Sequence, residues 1–165
     1  MSFKIKDGNS IVEGDFSQLE KLVENLGKDY HVDVGILGSE TDSESGLTIA
    51  GIGAVHEFGT MQAGRGRNTT IPKRSFILMP LTSKQDEITK RVESRMQGHL
   101  EQGDVKAVFV DIGIAAEAVI QEAFETGGFG QWEPLSEITI ERKGSSAPLI
   151  DEGVLRKSIT SEVKG

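Results

Sequence analysis

The residues whose types could support chemistry are few and scattered. His56-Glu57 opens like a zinc metalloprotease signature, but that mechanism needs a second histidine one helical turn on, and position 60 is threonine. The other histidines, His31 and His99, lie in unrelated segments, so no three-histidine metal or acid–base centre is expected. Gly51-Ile52-Gly53 lacks the third glycine of a dinucleotide fingerprint and follows a polar loop rather than a strand. No lysine follows a Walker-type glycine spacing. Ser136, Ser158 and Thr160 lack the strained turn of a hydrolase nucleophile. The chain has no cysteine, which removes thiolate catalysis, iron–sulfur clusters and cysteine zinc sites together. The expectation is a protein that is not an enzyme and takes no cofactor and no metal.

Charge supplies a second kind of candidate. Between Phe58 and Gln85 there are five basic residues, Arg65, Arg67, Lys73, Arg74 and Lys84, and no acidic one. The first two lie in Ala63-Gly64-Arg65-Gly66-Arg67-Asn68, which glycine makes adaptable. Two readings stand: a contact to phosphate or to an acidic protein patch, or a solvated loop that balances surface charge. Gly38 to Gly46 is the counterpart, carrying Glu40, Asp42 and Glu44 and no apolar residue. Both loops, 38–46 and 61–70, are expected to be mobile alone, and their opposite charges suit pairing across a subunit boundary.

The elements that must position these residues follow from hydrophobic spacing. Phe3 and Ile5, with Ile11, alternate as in an edge strand, and Asp15 or Ser17 can cap a helix carrying Leu19, Leu22, Val23 and Leu26. Tyr30 to Leu37 reads as a strand with Val32, Val34 and Ile36 on one face, giving a helix packed on a sheet. Ile49, Ile52, Val55 and Phe58 fall near helical spacing, with Gly51 and Gly53 suggesting close packing. Ile88, Val92, Met96 and Leu100 form a narrow stripe, and Gly103 ends that helix. Asp104 then caps the strongest periodic signal, running from Val105 to Phe124 and stopped by Gly127-Gly128. Residues 129–165 hold too little apolar material to fold alone and are expected to pack on this core.

Composition narrows the class. A length of 165 residues suits one domain, 1–165, and no apolar stretch reaches the roughly 20 residues of a membrane span. The N-terminus lacks the apolar stretch of a secretory signal, so retention in the cytoplasm is the expectation. A net charge of −8 argues against nonspecific coating of nucleic acid, although a local basic contact is compatible with it.

Several segments taken in order resemble a known pattern. Val34-Gly35-Ile36, Ala54-Val55-His56-Glu57-Phe58-Gly59-Thr60 and Ile71-Pro72-Lys73-Arg74-Ser75-Phe76-Ile77 are similar to tailed-bacteriophage neck and tail-completion proteins, including the Mu-type virion morphogenesis and lambdoid minor tail families. Gly127-Gly128, Trp132-Glu133-Pro134-Leu135-Ser136 with Thr139, and Leu149 to Ile159 resemble the second half. The segment Met61 to Thr70 is longer than that pattern at the same place. The resemblance implies an α+β protein that joins or completes a phage tail for head–tail attachment, with no catalytic residues. With the elements above, this becomes a small mixed or antiparallel sheet packed against two or three helices, with long flexible loops.

The resemblance also implies a homo-oligomeric ring, sixfold, in the virion neck or tail and assembled in the host cytoplasm. Its partners are then copies of itself and other neck, connector or tail-tube proteins, with passing contact to DNA and no membrane. His56, Glu57, Phe58, Trp132, Pro134 and Ser136 are the expected structural anchors. Arg65, Arg67, Lys73, Arg74, Glu40, Asp42 and Glu44 are the expected partner contacts. The alternatives are a tail terminator ring and a nucleic-acid-contacting module that uses the basic 65–74 loop.

Overall fold

A computed structural model describes residues 2–7, 10–15, 17–43, 45–64, 66, 68–137, 140–141 and 153–165, with 2–7, 10–15 and 18 described by backbone. The fold is α+β. Among the described residues its strands pair as three separate two-stranded antiparallel ribbons rather than as one small sheet. Strands β1 (Ser2–Asp7) and β2 (Ser10–Asp15) form a hairpin in which Ile5 opposes Val12. Strand β3 (His31–Gly35) pairs with the C-terminal β6 (Thr160–Lys164), and β4 (Thr60–Ala63) with β5 (Thr69–Ile71). The β4–β5 ribbon occupies the span expected as a loop. Its pairing residues Thr60, Thr69 and Ile71 are β-branched, which suits an extended backbone despite the glycines between them.

The acidic loop is also locally organised. Asp42 N donates to Leu47 O and Ile49 N to Glu40 O, both at 2.8 Å, while the Asp42 carboxylate accepts from Ser45 N at 2.7 Å. This turn delivers Thr48, whose hydroxyl accepts from Gly51 N at 3.0 Å and caps α2 (Ile49–Phe58).

Helix α5 (Val105–Glu125) is the centre of the molecule. Asp104 caps it by accepting from Ala107 N at 3.1 Å, and Gly128 N closes its end on Ala123 O at 2.7 Å. Val119, Ile120 and Ala123 are wholly buried. One side of α5 meets α4 (Gln85–Glu101), where Val92, Val108 and Ala115 are buried and Ile88, Leu100 and Ile112 pack around them. Arg91 fastens the same pair of helices, reaching Glu87 and Glu122 at 2.5 Å each, and these bonds raise its pKa. The other side carries the larger core of Phe76, Ile120, Phe124, Trp132, Leu155 and Ile159. Helix α1 (Ser17–Leu26) leans on α5: Asn25 Nδ2 donates to Gly103 O at 2.8 Å.

The β3–β6 ribbon lies across α5 at Gly113. A Cβ there would fall 2.5 Å from Ser161 Oγ and 2.9 Å from Ser161 Cβ, so glycine lets strand and helix touch. Gly113→Ala gains up to about 1 kcal/mol of helix propensity but incurs overpacking of about 1–3 kcal/mol. The expected result is a lower thermal midpoint in the native background. In a Ser161→Gly background the clash disappears, and the same change should raise the midpoint; the same sign in both backgrounds would refute this contact.

Candidate functional site

The segments around Val34, His56-Glu57, Arg74-Ser75 and Trp132 meet on the larger core. Helix α2 turns Gly53 and, one turn later, Glu57 toward the interior; a Cβ on Gly53 would lie 2.7 Å from Ile36 Cδ1, which is the close packing its glycine allows. Gly59 ends the helix at φ +73°, and a Cβ there would meet Lys73 N at 2.8 Å. The backbone of residues 71–77 therefore runs directly beside the end of α2. Arg74 N donates to His56 O at 2.8 Å and fixes that alignment.

Glu57 is 5% exposed, and both of its carboxylate oxygens are occupied. Oε1 accepts from Ser75 Oγ at 2.5 Å and Leu78 N at 3.1 Å; Oε2 accepts from Phe76 N at 2.7 Å and Ile77 N at 2.9 Å. These amides open α3 (Leu78–Ser83), so a carboxylate from another helix satisfies the buried amide of Phe76 and the partly buried amides of Ile77 and Leu78. Ser75 Oγ in turn accepts from Met79 N at 2.9 Å.

Trp132 closes the arrangement. Its Nε1 donates to Ser75 O at 3.2 Å, and its ring meets Phe124 edge-on at 5.8 Å. Phe124 packs on Phe76 at 5.3 Å. Gly128, at φ +68°, lies under the indole, where any side chain would collide with it. Arg74 is 4% exposed; its Nε donates to Glu133 O at 2.9 Å and its Nη2 to Pro134 O at 3.2 Å. Burial pulls its guanidinium below the ordinary arginine value, and Glu133 opposes that shift.

This geometry revises the expected roles. Arg74 is not a partner contact: its fork is spent on two carbonyls inside the chain. Phe58 is not an anchor, because it stands 68% exposed about a third of a helical turn away from inward Glu57. Asp42 shapes its own turn, while Glu40 and Lys73 are exposed. Glu44, Arg65 and Arg67 lie outside the described residues, as do Thr139 and residues 149–152. Pro134 supplies the carbonyl for Arg74, and the exposed Ser136 supplies one for Ile140 N at 3.0 Å. The end of the resemblance docks through α6 (Val154–Lys157), where Leu155 is buried and Gln121 Nε2 donates to Arg156 O at 3.0 Å.

Ser75 carries no local sequence signal for this role: it stands three residues before α3, whose own N-cap, Ile77, has no side-chain acceptor. The arrangement is a clasp, with no open coordination position and no exposed acid or base at its centre. Beside it lies a cleft of about 350 Å³ lined by Ile36, Ala50, Ala54, Phe58, Ile77 and Leu78, with Glu57 at its floor. Among the described residues no helix is long and apolar enough to cross a membrane, and no group of three or more His, Cys, Asp or Glu comes together. No protein-family model, curated protein or solved structure matches this chain.

Proposed function

We propose that this chain is a structural virion protein of the neck or tail end of a tailed bacteriophage, joining or completing the tail for head–tail attachment. It works as one subunit of a homo-oligomeric ring, sixfold, that meets neck, connector or tail-tube proteins. It performs no catalysis and binds no cofactor. The observation that supports this reading is the convergence of the resembling segments. Glu57, Arg74, Ser75 and Trp132 come from three separate motifs and are joined by direct hydrogen bonds. Arg74 binds the carbonyls of Glu133 and Pro134 across 59 and 60 residues. A pattern kept to hold a shape, rather than to do chemistry, is expected to consist of such mutual contacts.

The clasp also weakens the nucleic-acid alternative, since it takes Arg74 out of the basic run. Deleting the gene from its phage should give separate filled heads and tails that do not join, visible by electron microscopy, with infectivity restored by the protein supplied in trans. Joined, infectious particles without it would end this reading. Salt-dependent DNA binding by the isolated protein with normal virion assembly would favour the nucleic-acid module instead.

A further inference from the structure

The chain leaves α5 through a turn wound the opposite way. Gly127, Gly128, Phe129 and Gly130 have φ of +61, +68, +56 and +77°, four left-handed residues in succession. Three are glycine, which adopts this conformation without steric cost, but Phe129 is the one other residue with positive φ among those described. A bulky side chain is strained there, and L-residues enter the left-handed region singly rather than in runs. Bonds inside the turn close it: Gly130 N donates to Thr126 O at 3.0 Å, Gln131 N to Gly128 O at 3.1 Å and Trp132 N to Gly127 O at 3.0 Å.

Strain of this kind persists where the surroundings over-determine it. Phe129 N donates to Thr126 Oγ1 at 3.0 Å, and the ring packs on the larger core. Lys84 Nζ stands over the ring, 4.7 Å from its centre. Lys84 lies between α3 and α4, and its ammonium is steered by Glu87 at 3.4 Å. Glu87 binds Arg91, which reaches Glu122 on α5. Thr126 Oγ1 donates back to Glu122 O at 2.7 Å, so these contacts form a closed circuit around the turn.

The turn delivers a short strap, residues 132–134. The described side-chain bonds that tie it to the body are Trp132 Nε1 to Ser75 O, Arg74 Nε to Glu133 O and Arg74 Nη2 to Pro134 O. Glu133 and Pro134 are exposed, so the indole is the part of the strap that enters the core. An element with few buried side chains opens at lower free energy than the core around it.

We infer that the turn 127–130 is a latch, set by Lys84 on the ring of Phe129, and that it opens together with the strap 132–134 while the helices stay folded. Closed, the strap hides the indole of Trp132 and the guanidinium of Arg74, side chains of the kinds that most often anchor protein contacts. Open, it presents both at one place.

Hydrogen exchange on the full chain tests the latch. The amides of Gly130, Gln131 and Trp132 should exchange at least about tenfold faster than those of Val119, Ile120 and Ala123, at rates that denaturant below the unfolding transition hardly alters. Lys84→Met keeps a long apolar stem and removes the ammonium. It should speed the three turn amides about two- to fivefold and leave the α5 amides unchanged. The Phe129→Leu background keeps an apolar side chain but has no ring face, and there Lys84→Met should have no further effect on the turn. That comparison separates the ring contact from the Lys84–Glu87 pair. Turn amides that exchange in step with α5, no response to Lys84→Met, or an equal response in the Phe129→Leu background would overturn the proposal.

Discussion

Glu57→Ala is expected to leave the protein largely unfolded at room temperature. The change removes the acceptor of four donors, Ser75 Oγ and the amides of Phe76, Ile77 and Leu78. Ser75 Oγ and Phe76 N are buried and the amides of Ile77 and Leu78 partly so; at about 1–3 kcal/mol for each buried donor left without a partner, the two buried ones alone cost about 2–6 kcal/mol against the roughly 5–15 kcal/mol that holds a domain together. Glu57→Gln keeps the volume but turns an amide group toward backbone N–H donors, and should cost at least about 2 kcal/mol. Ser75→Ala removes one donor and the Met79 acceptor while leaving the carboxylate three partners, so its loss should be smaller, about 1–2 kcal/mol. Denaturant midpoints read by Trp132 fluorescence check this order, since the only tryptophan is buried against the clasp. A Glu57→Ala midpoint close to the native one would mean that the carboxylate does not hold the clasp.

Ile120→Asp is the second large effect. Ile120 is wholly buried within the cluster formed by Phe76, Phe124 and Trp132, with no described polar partner for a carboxylate there. Placing a charge in such surroundings costs several kcal/mol beyond the lost apolar burial, and the expected outcome is insoluble expression or a chain without cooperative unfolding. Ile120→Val should cost only about 0.5–1.5 kcal/mol and remain folded, which separates charge from loss of volume. Ile112→Asp should be milder, because Ile112 is half-buried at the α4 seam. Soluble Ile120→Asp protein with shielded tryptophan emission would remove α5 from the centre of the fold.

Sequence spacing revealed the helices because their periodicity is local. Residues 105–124 repeat at helical intervals, and the capping by Asp104 and the stop at Gly127-Gly128 are properties of adjacent residues. The fate of Arg74 was not legible in the same way. A basic residue inside a basic run reads as surface, and only the return of the chain at Glu133 and Pro134 makes it internal. The outward face of α1, where Leu19, Val23 and Leu26 stand exposed, is a similar case: amphipathic spacing says that an apolar face exists, not what covers it. The β4–β5 ribbon was hidden by glycine and charge, which favour a loop until a partner strand is near. For the site, the motif residues were visible one by one, whereas their bonds join positions 18 to 60 residues apart.

The β4–β5 ribbon leaves and re-enters the body at one place, because Gly59 touches Lys73 and Arg74 N holds His56 O. Its base is stapled, and no residue of either strand belongs to the two described core clusters. Length at the tip is therefore decoupled from the rest of the molecule: doubling such a loop costs only about 0.6 kcal/mol of closure entropy. Added length within Met61 to Thr70 needs no compensating change elsewhere. A peptide epitope spliced between Gly64 and Asn68 would be carried as a handle on a rigid stem, leaving the tip free to diverge in sequence while the clasp beneath it stays fixed.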